Sequence, residues 1–518
     1  MNMKGFELGG EMKKILFSRL AITVFLVLVQ VLILSIGIFK LSSSFVYFYL
    51  FCVVLSLVVV LYILSRTDNP SYKLAWTIPV LLLPIFGGLF YLILGGNKIG
   101  RKLKKQIEYR ENETKNMLIQ DEDTLKEIEK EDDLIISQVK YLNKIAQFPI
   151  YKNCESEYLS PGEVFYERLI EELKKAKKFI FMEYFIINEG VMWDNILNIL
   201  KKKVKEGVEV RFLYDDMGCM TTLPANYEKT LESYGIKTKV FNPIIPIISA
   251  VANNRDHRKI TVIDGHTAFT GGINLADEYI NEIVRFGHWK DASIMIKGEA
   301  VWSFTVMFLR LWSYYDNSDI DYYMYKPLID SKLNNSSGYI LPYGDSPYDN
   351  ELIGENVYLN IINKARKYVY ICTPYLIIDN ELVTALKLAA KNGVDVRIVT
   401  PHIEDKWYVH MVTRAYYAQL IEAGVKIYEY TPGFIHSKTF VCDDILGSVG
   451  TINMDYRSLY LHFECGTLLY KTDSVMSIKE DFMSILDKSH LVTIEDTKKV
   501  KWSNVILRAI LRVFSPLM

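Results

Sequence analysis

Two short constellations in this chain hold residue types suited to attack on a phosphodiester. His257 and Lys259 are followed by Asp264, and seven residues later by Gly271-Gly272-Ile273-Asn274. His436, Lys438, Asp443 and Gly450-Thr451-Ile452-Asn453 repeat that pattern, each position 179 residues after its counterpart. One HxKxxxxD arises readily by accident. Two, each with a GxxN at the same offset, do not. On a strand, residues i and i+2 share a face, so each motif presents an imidazole beside an ammonium. The apolar runs ITVI and TFVC carry each strand onward, and Asp264-Gly265 and Asp443-Asp444 end them at turns.

This set fits chemistry on an anionic ester. Lys259, Lys438 and the amides of Asn274 and Asn453 can neutralise the non-bridging oxygens. One histidine can attack phosphorus and form a phospho-histidine, while the other protonates the leaving oxygen and then deprotonates the incoming hydroxyl. We read His257 as the nucleophile and His436 as the acid and base. No carboxylate cluster or Cys/His set has metal-ligand spacing. The expectation is therefore a reaction without metal or other cofactor. Six scattered cysteines form no CxxC pair, which fits a reduced compartment.

The elements that must position these residues also repeat. KKAKKFIFMEYFI from Lys174 and NKARKYVYICTPYLI from Asn363 each lead through a helix to a Gly-Val-acid-Val-Arg strand. Gly207 and Gly393 fall where a helix needs a left-handed terminal residue. Strands alternating with helices predict two similar α/β domains packed together.

Ahead of them lies an apolar segment. Leu20 to Phe39 and Phe45 to Leu64 are uncharged runs of 20 residues each, long enough to span a bilayer. A third run, Leu74 to Leu94, contains Pro79, Pro84 and Gly87-Gly88, so it reads as a re-entrant segment or a kinked third span. Basic clusters precede residue 20 and follow residues 65 and 97. The positive-inside rule then favours two spans plus a re-entrant run, with everything after Lys98 cytoplasmic.

The sequence resembles the phospholipase D superfamily, whose signature is the doubled HxKxxxxD. DHRKITVIDG, GGINLADEY and WKDASIMIKGEAV look like the first half of bacterial cardiolipin synthases. PGFIHSKTFVCDD and GTINMDYRSLYLHFE look like the second, and LAWTIPVLLLPIFGGLFYLILGG looks like that family's membrane segment. The resemblance implies two pseudo-symmetric phospholipase D-like domains sharing one active site. It implies a ping-pong transfer between two phosphatidylglycerols, serving as donor and acceptor, that yields cardiolipin and glycerol. It further implies that Asp291 and Glu464 orient the histidine of the opposite half. Asp264 and Asp443, counted among the six catalytic motif residues, would then support strand and turn.

These readings divide the chain into a membrane anchor (1–97), a charged helical connector (98–140), a first domain (141–325), a second domain (326–495) and a C-terminal amphipathic helix (496–518). That helix is expected either to pack on the catalytic part or to lie in the membrane interface. His462, close to Glu464, is a candidate border of the site, and Glu183 and Tyr375 stand at strand ends where pockets form. Formal net charge is −1, so nothing points to nucleic acid as a partner. The expected partners are the bilayer and its lipids, with a homo-oligomer left open. A membrane-bound phospholipase D or nuclease using water remains the alternative; a non-catalytic scaffold sits poorly with two complete motifs.

Overall fold

Runs of β-branched and aromatic residues, separated by amphipathic helices, build two sheets with the same plan. The computed structural model describes residues 28–29, 31–33, 35–40, 46–84, 87–95, 109–110, 112–131, 133–244, 253–316, 320–327, 336–348 and 351–517. The first half contributes β1 (Glu155–Leu159), β2 (Phe179–Tyr184), β3 (Glu209–Asp215), β4 (Lys237–Phe241), β5 (Arg255–Asp256), β6 (Ile260–Ile263), β7 (Thr267–Gly271), β8 (His288–Lys290) and β9 (Ser293–Lys297). The second contributes β10 (Tyr339–Asp345), β11 (Tyr368–Cys372), β12 (Leu376–Ile377), β13 (Asp395–Pro401), β14 (Lys426–Tyr430), β15 (Gly433–Ile435), β16 (Thr439–Cys442), β17 (Leu446–Gly450), β18 (Met454–Asp455), β19 (His462–Tyr470) and β20 (Ser489–Leu491).

The first sheet runs β1-β9-β7-β6-β2-β3-β4, and the second runs β10-β19-β17-β16-β11-β13-β14-β20. Strand for strand the order is the same, with β20 added at one edge. In each, three parallel strands (β2, β3, β4; β11, β13, β14) meet antiparallel strands that carry the motifs. The central β2 and β11 are buried along their whole length, as strands covered on both faces must be. Gly207 and Gly393, at φ +87° and +91°, end the helices Val191–Lys205 and Asn380–Lys391 as the sequence predicts.

Two short cross-pairings bind the halves. β5 pairs with the start of β19, and β8 pairs with β15. One continuous hydrophobic core runs through both, from Phe181 and Phe308 to Tyr358 and Phe440. All six cysteines are free and buried. The helices Glu122–Glu131 and Asp133–Lys144, within and just past the expected connector, do more than solvate charge: they bury Ile128, Val139 and Leu142 in this core.

Among the described residues, one helix is long and apolar enough to cross a membrane, α1 (Val46–Ser65). Phe51, Leu57, Val58 and Leu61 are exposed on it, as lipid contact would require. The expected span 20–39 lies largely outside the described residues. The third apolar run is two helices, α2 (Pro70–Leu82) and α3 (Gly87–Leu94), broken at the second proline. Ser56 Oγ donates to Pro84 O at 2.7 Å, and Gly88 sits where a Cβ would meet that hydroxyl, so the broken run folds back onto α1. Asn69, the N-cap of α2, donates to Asp379 and Tyr460 at 3.2 and 2.9 Å, docking this segment on the second half.

Candidate active site

Each motif histidine is held by the half it does not belong to. β5 delivers His257, whose N–H donates to Phe463 O at 2.9 Å. β15 delivers His436, whose N–H donates to Lys290 O at 2.7 Å. The side chains repeat the exchange. His257 Nδ1 lies 2.8 and 3.1 Å from the two oxygens of Glu464, and His436 Nδ1 lies 2.7 Å from Asp291 Oδ2. A carboxylate at Nδ1 accepts a hydrogen bond from the N–H there, which keeps the proton on Nδ1 and leaves Nε2 with its lone pair. No hydrogen bond among the described residues occupies either Nε2.

The lysines stand beside the rings. Lys259 Nζ donates to His257 O at 2.6 Å. Lys438 Nζ donates to His436 O and lies 2.9 Å from His436 Nδ1. Both histidines are 7% exposed and both lysines 2%. Burial sets their protonation. It pushes His257 well below the usual imidazole range, helped by Lys259 and Lys438. It lowers His436 to about 4, with Lys438 adding to the effect and Asp291 opposing it. It brings Lys259 down to about 8 and Lys438 to about 7. Burial opposes the charge on Asp291, but His436 and Lys438 outweigh it and hold the carboxyl below its usual range. The site is thus a pair of neutral imidazoles beside lysines whose charge an anion would reinforce.

Asn274 accepts from Ile186 N–H at 3.0 Å and donates to Tyr279 at 2.8 Å. Asn453 is 6% exposed, and its Oδ1 is buried with no hydrogen-bond partner among the described residues. Asp264 and Asp443 stand at the turns that end the motif strands. Asp264 accepts from the N–H groups of Lys177, Lys178 and Phe179, and Asp443 from those of Arg366, Lys367 and Tyr368, all at 2.7–2.9 Å. Each therefore caps the start of the neighbouring strand from a left-handed turn (φ +51° and +53°), at the end of the motif strand away from the histidine.

Further side chains surround the two imidazoles. His462 packs its ring 5.5 Å from His257, with Nδ1 3.7 Å from Glu464. Neither of its ring nitrogens has a hydrogen-bond partner among the described residues, and burial lowers its pKa to about 3. Trp289 packs 5.4 Å from His436. Each lies two residues before the orienting carboxylate, and strand alternation was the signal that placed it on the same face. Thr451 donates to Glu464. Glu183 forms a buried ion pair with Arg258 at 2.6 Å, and Tyr375 donates to Asp405 at 2.5 Å. The fold also assembles two groups that could hold a metal, hidden from sequence spacing: His257 with His462 and Glu464, and Glu355 with Asp379 and Glu381.

Comparison with known proteins agrees with this geometry. The family described as cardiolipin synthase, PLD-like domain, matches residues 169–312 and 358–486, and a phospholipase D-nuclease N-terminal family matches 54–96. An uncharacterized protein of Streptococcus mutans is 46% identical over 461 residues, covering 89% of this chain and 99% of that one. A cardiolipin synthase of Halalkalibacterium halodurans is 33% identical over 512 residues, 95% of this chain and 99% of its own. One from Alkalihalophilus pseudofirmus is 34% identical over 464 residues, covering 88% and 91%. In solved structures the fold matches a phosphatidylserine synthase of Haemophilus influenzae, at TM-score 0.54 and 16% identity over 73% of this chain and 98% of that one. With two motif-bearing halves closing one site, and with that likeness along nearly its whole length, the chain belongs to the cardiolipin synthase family of phospholipase D-like proteins.

Proposed function

We propose that this chain joins two phosphatidylglycerols into cardiolipin and glycerol at the site between its two halves. The observation that carries the reading is the exchange of partners: His257 rests on Glu464 and His436 on Asp291, so neither half has a complete site alone. In the first displacement His257 Nε2 attacks phosphorus, and the bond to the headgroup glycerol breaks. His436 protonates that leaving oxygen. Glycerol departs, and the headgroup hydroxyl of a second lipid enters. His436 takes its proton, the oxygen attacks phosphorus, and the bond to His257 breaks. One ester bond is lost and one is made, so no nucleotide is needed. Lys259, Lys438 and Asn453 offer charge and hydrogen bonds to the phosphoryl oxygens. A bound phosphodiester anion favours the imidazolium that His436 needs for the first step. His462 offers its unpartnered nitrogens to the incoming hydroxyl.

The test is purified full-length protein with phosphatidylglycerol in mixed micelles, with a strong chelator and no nucleotide, products separated by mass. Cardiolipin and glycerol in near-equal amounts are expected. Phosphatidic acid as the main product would establish a hydrolase. Activity lost to the chelator and restored by one divalent ion would overturn the lysine-based account.

We also infer that 20–39 and 45–64 span the bilayer, that 74–94 re-enters it, and that the catalytic halves are cytoplasmic. The break between α2 and α3 and the three basic clusters support this. A cysteine placed near Arg101 should resist an impermeant thiol reagent in intact cells; labelling there would reverse the topology.

A further inference from the structure

A cavity of about 660 Å³ lies where α2, the helix Trp407–Ile421 and the C-terminal helix Trp502–Phe514 converge. Its size is that of a small-molecule pocket. None of its lining residues belongs to the motifs. One side is apolar, formed by Leu74, Ile78, Ala415, Ala418 and Val505. The other carries Arg414, Lys498, Arg508 and Arg512. Arg414 is neutralised by Glu429, through bonds of 2.7 and 2.8 Å. Lys498, Arg508 and Arg512 have no carboxylate partner among the described residues. Arg508 Nε is buried and without a hydrogen bond. Burial and the neighbouring Arg414 both disfavour the charge on Arg508, a cost that an anion would offset. α2, which lines the cavity, packs against α1, and the C-terminal helix exposes Trp502, Val505, Ile506 and Ile510 next to the cavity. A lone phosphate would leave the apolar side bare, and a neutral tail would leave three cations unmatched.

We propose that this cavity binds one anionic phospholipid, its phosphate against Lys498, Arg508 and Arg512 and an acyl chain along Leu74, Ile78 and Val505. The site is separate from catalysis and ties the C-terminal helix and the second half to the membrane. It rests on the reading that the amino-terminal helices lie in a bilayer.

The test reads lipid retention rather than turnover, so it stands apart from the identity of the reaction product. Full-length protein in a nonionic detergent is titrated with dioleoylphosphatidylserine, an anionic lipid without the glycerol headgroup that the reaction uses, with dioleoylphosphatidylcholine or with inorganic phosphate, and followed by native mass spectrometry. The parent should retain one anionic lipid that neither phosphatidylcholine nor millimolar phosphate displaces. Retention should weaken about tenfold, or 1.4 kcal/mol, in the double variant Arg508→Gln, Arg512→Gln. It should weaken equally in Ala415→Trp, which fills the apolar side and keeps the cations. Synthesis at saturating phosphatidylglycerol should change less than about twofold. Unchanged retention in both variants, or equal competition by phosphatidylcholine, would overturn the proposal. Displacement by phosphate would reduce the cavity to an anion site and also overturn it.

Discussion

His257 and His436 occupy equivalent places in sheets of equal strand order, yet the side chains around them differ at several positions. Beside His257 the carboxylate is Glu464, and Thr451 donates to it. Beside His436 the carboxylate is the shorter Asp291, and the position of Thr451 is taken by Gly272, where a Cβ would stand 2.1 Å from Asp291 Oδ1. A long carboxylate with a hydroxyl is matched by a short one with space cleared for it. His462 packs on His257, whereas Trp289 packs on His436. Asn274 is tied down by Tyr279, whereas Asn453 keeps a free Oδ1. Backbone symmetry brings the two imidazoles into one site. Side-chain asymmetry gives them different surroundings, and hence a basis for different work.

Removing either imidazole should have the largest effect, because both displacements need both. His257→Ala and His436→Ala should each lower synthesis by about 10⁴-fold or more, rather than by half. A phosphoryl label that is stable to base and lost in acid, as a phosphorus–nitrogen bond requires, can sharpen the comparison. If His257 is the nucleophile, the His436→Ala protein should still take up some label from donor lipid, and the His257→Ala protein none. Two half-active variants would mean two independent sites.

The carboxylates come next. Glu464→Asp withdraws the acceptor from His257 Nδ1 and strands the Thr451 hydroxyl, so a loss of about 100-fold is expected. Gly272→Thr copies the other half's residue into a place with no room for it. It should cost as much activity and also lower the thermal midpoint, since the nearest atom is a fixed, buried carboxylate. If Gly272→Thr is tolerated, the two carboxylate arrangements are interchangeable, and the contrast drawn here carries no weight.

Much of this site could be read in the chain. The doubled motif, the GxxN pairs and the terminal glycines of two helices have local spacing, and local spacing is what sequence displays; Asp291 and Glu464 follow only from the family resemblance. The cross-half pairings of β5 with β19 and β8 with β15 have none: their partners are more than a hundred residues apart. Ile128 and Val139, lying among Lys and Glu, read as part of a solvated connector because the face that buries them comes from the second half. Asp264 and Asp443 carry the most visible acid in the signature, yet their oxygens serve backbone N–H groups, a role that residue type alone does not distinguish from catalysis.

Protonation gives a smaller and graded effect. Lys438 and Lys259 titrate near 7 and 8, because burial disfavours their charge. Raising the pH through that window removes the cations that meet the phosphodiester. kcat/KM, which reports the free enzyme, should therefore fall by about tenfold per pH unit between roughly 7 and 8, and more steeply above that. Bound anion restores the lysine proton, so kcat should hold to higher pH. Steady-state measurements from pH 6 to 9.5 at fixed ionic strength would show the separation. A kcat/KM that stays flat to 9.5 would mean that the lysines keep their charge unaided.

The smallest change tests the asymmetry most directly. His462 is buried with both ring nitrogens unpartnered, a state that costs free energy until something polar arrives. Trp289, its counterpart, packs against His436 and also buries a ring N–H without a partner among the described residues, but an indole can only donate and cannot accept from an incoming hydroxyl. An incoming glycerol hydroxyl can satisfy His462, and water, already abundant, gains less from one fixed partner. His462→Phe should therefore leave formation of the phospho-enzyme within about twofold, yet shift products from cardiolipin toward phosphatidic acid by about five- to tenfold, the worth of roughly one hydrogen bond. Trp289→Phe should leave that ratio unchanged. Because the replacement removes unsatisfied buried atoms and keeps ring volume, the variant should fold at least as well as the parent, so a changed ratio reports selection of the acceptor and not damage. If both substitutions leave the product ratio where it was, His462 only packs against His257, and the incoming hydroxyl must be chosen by the shape of the lipid path.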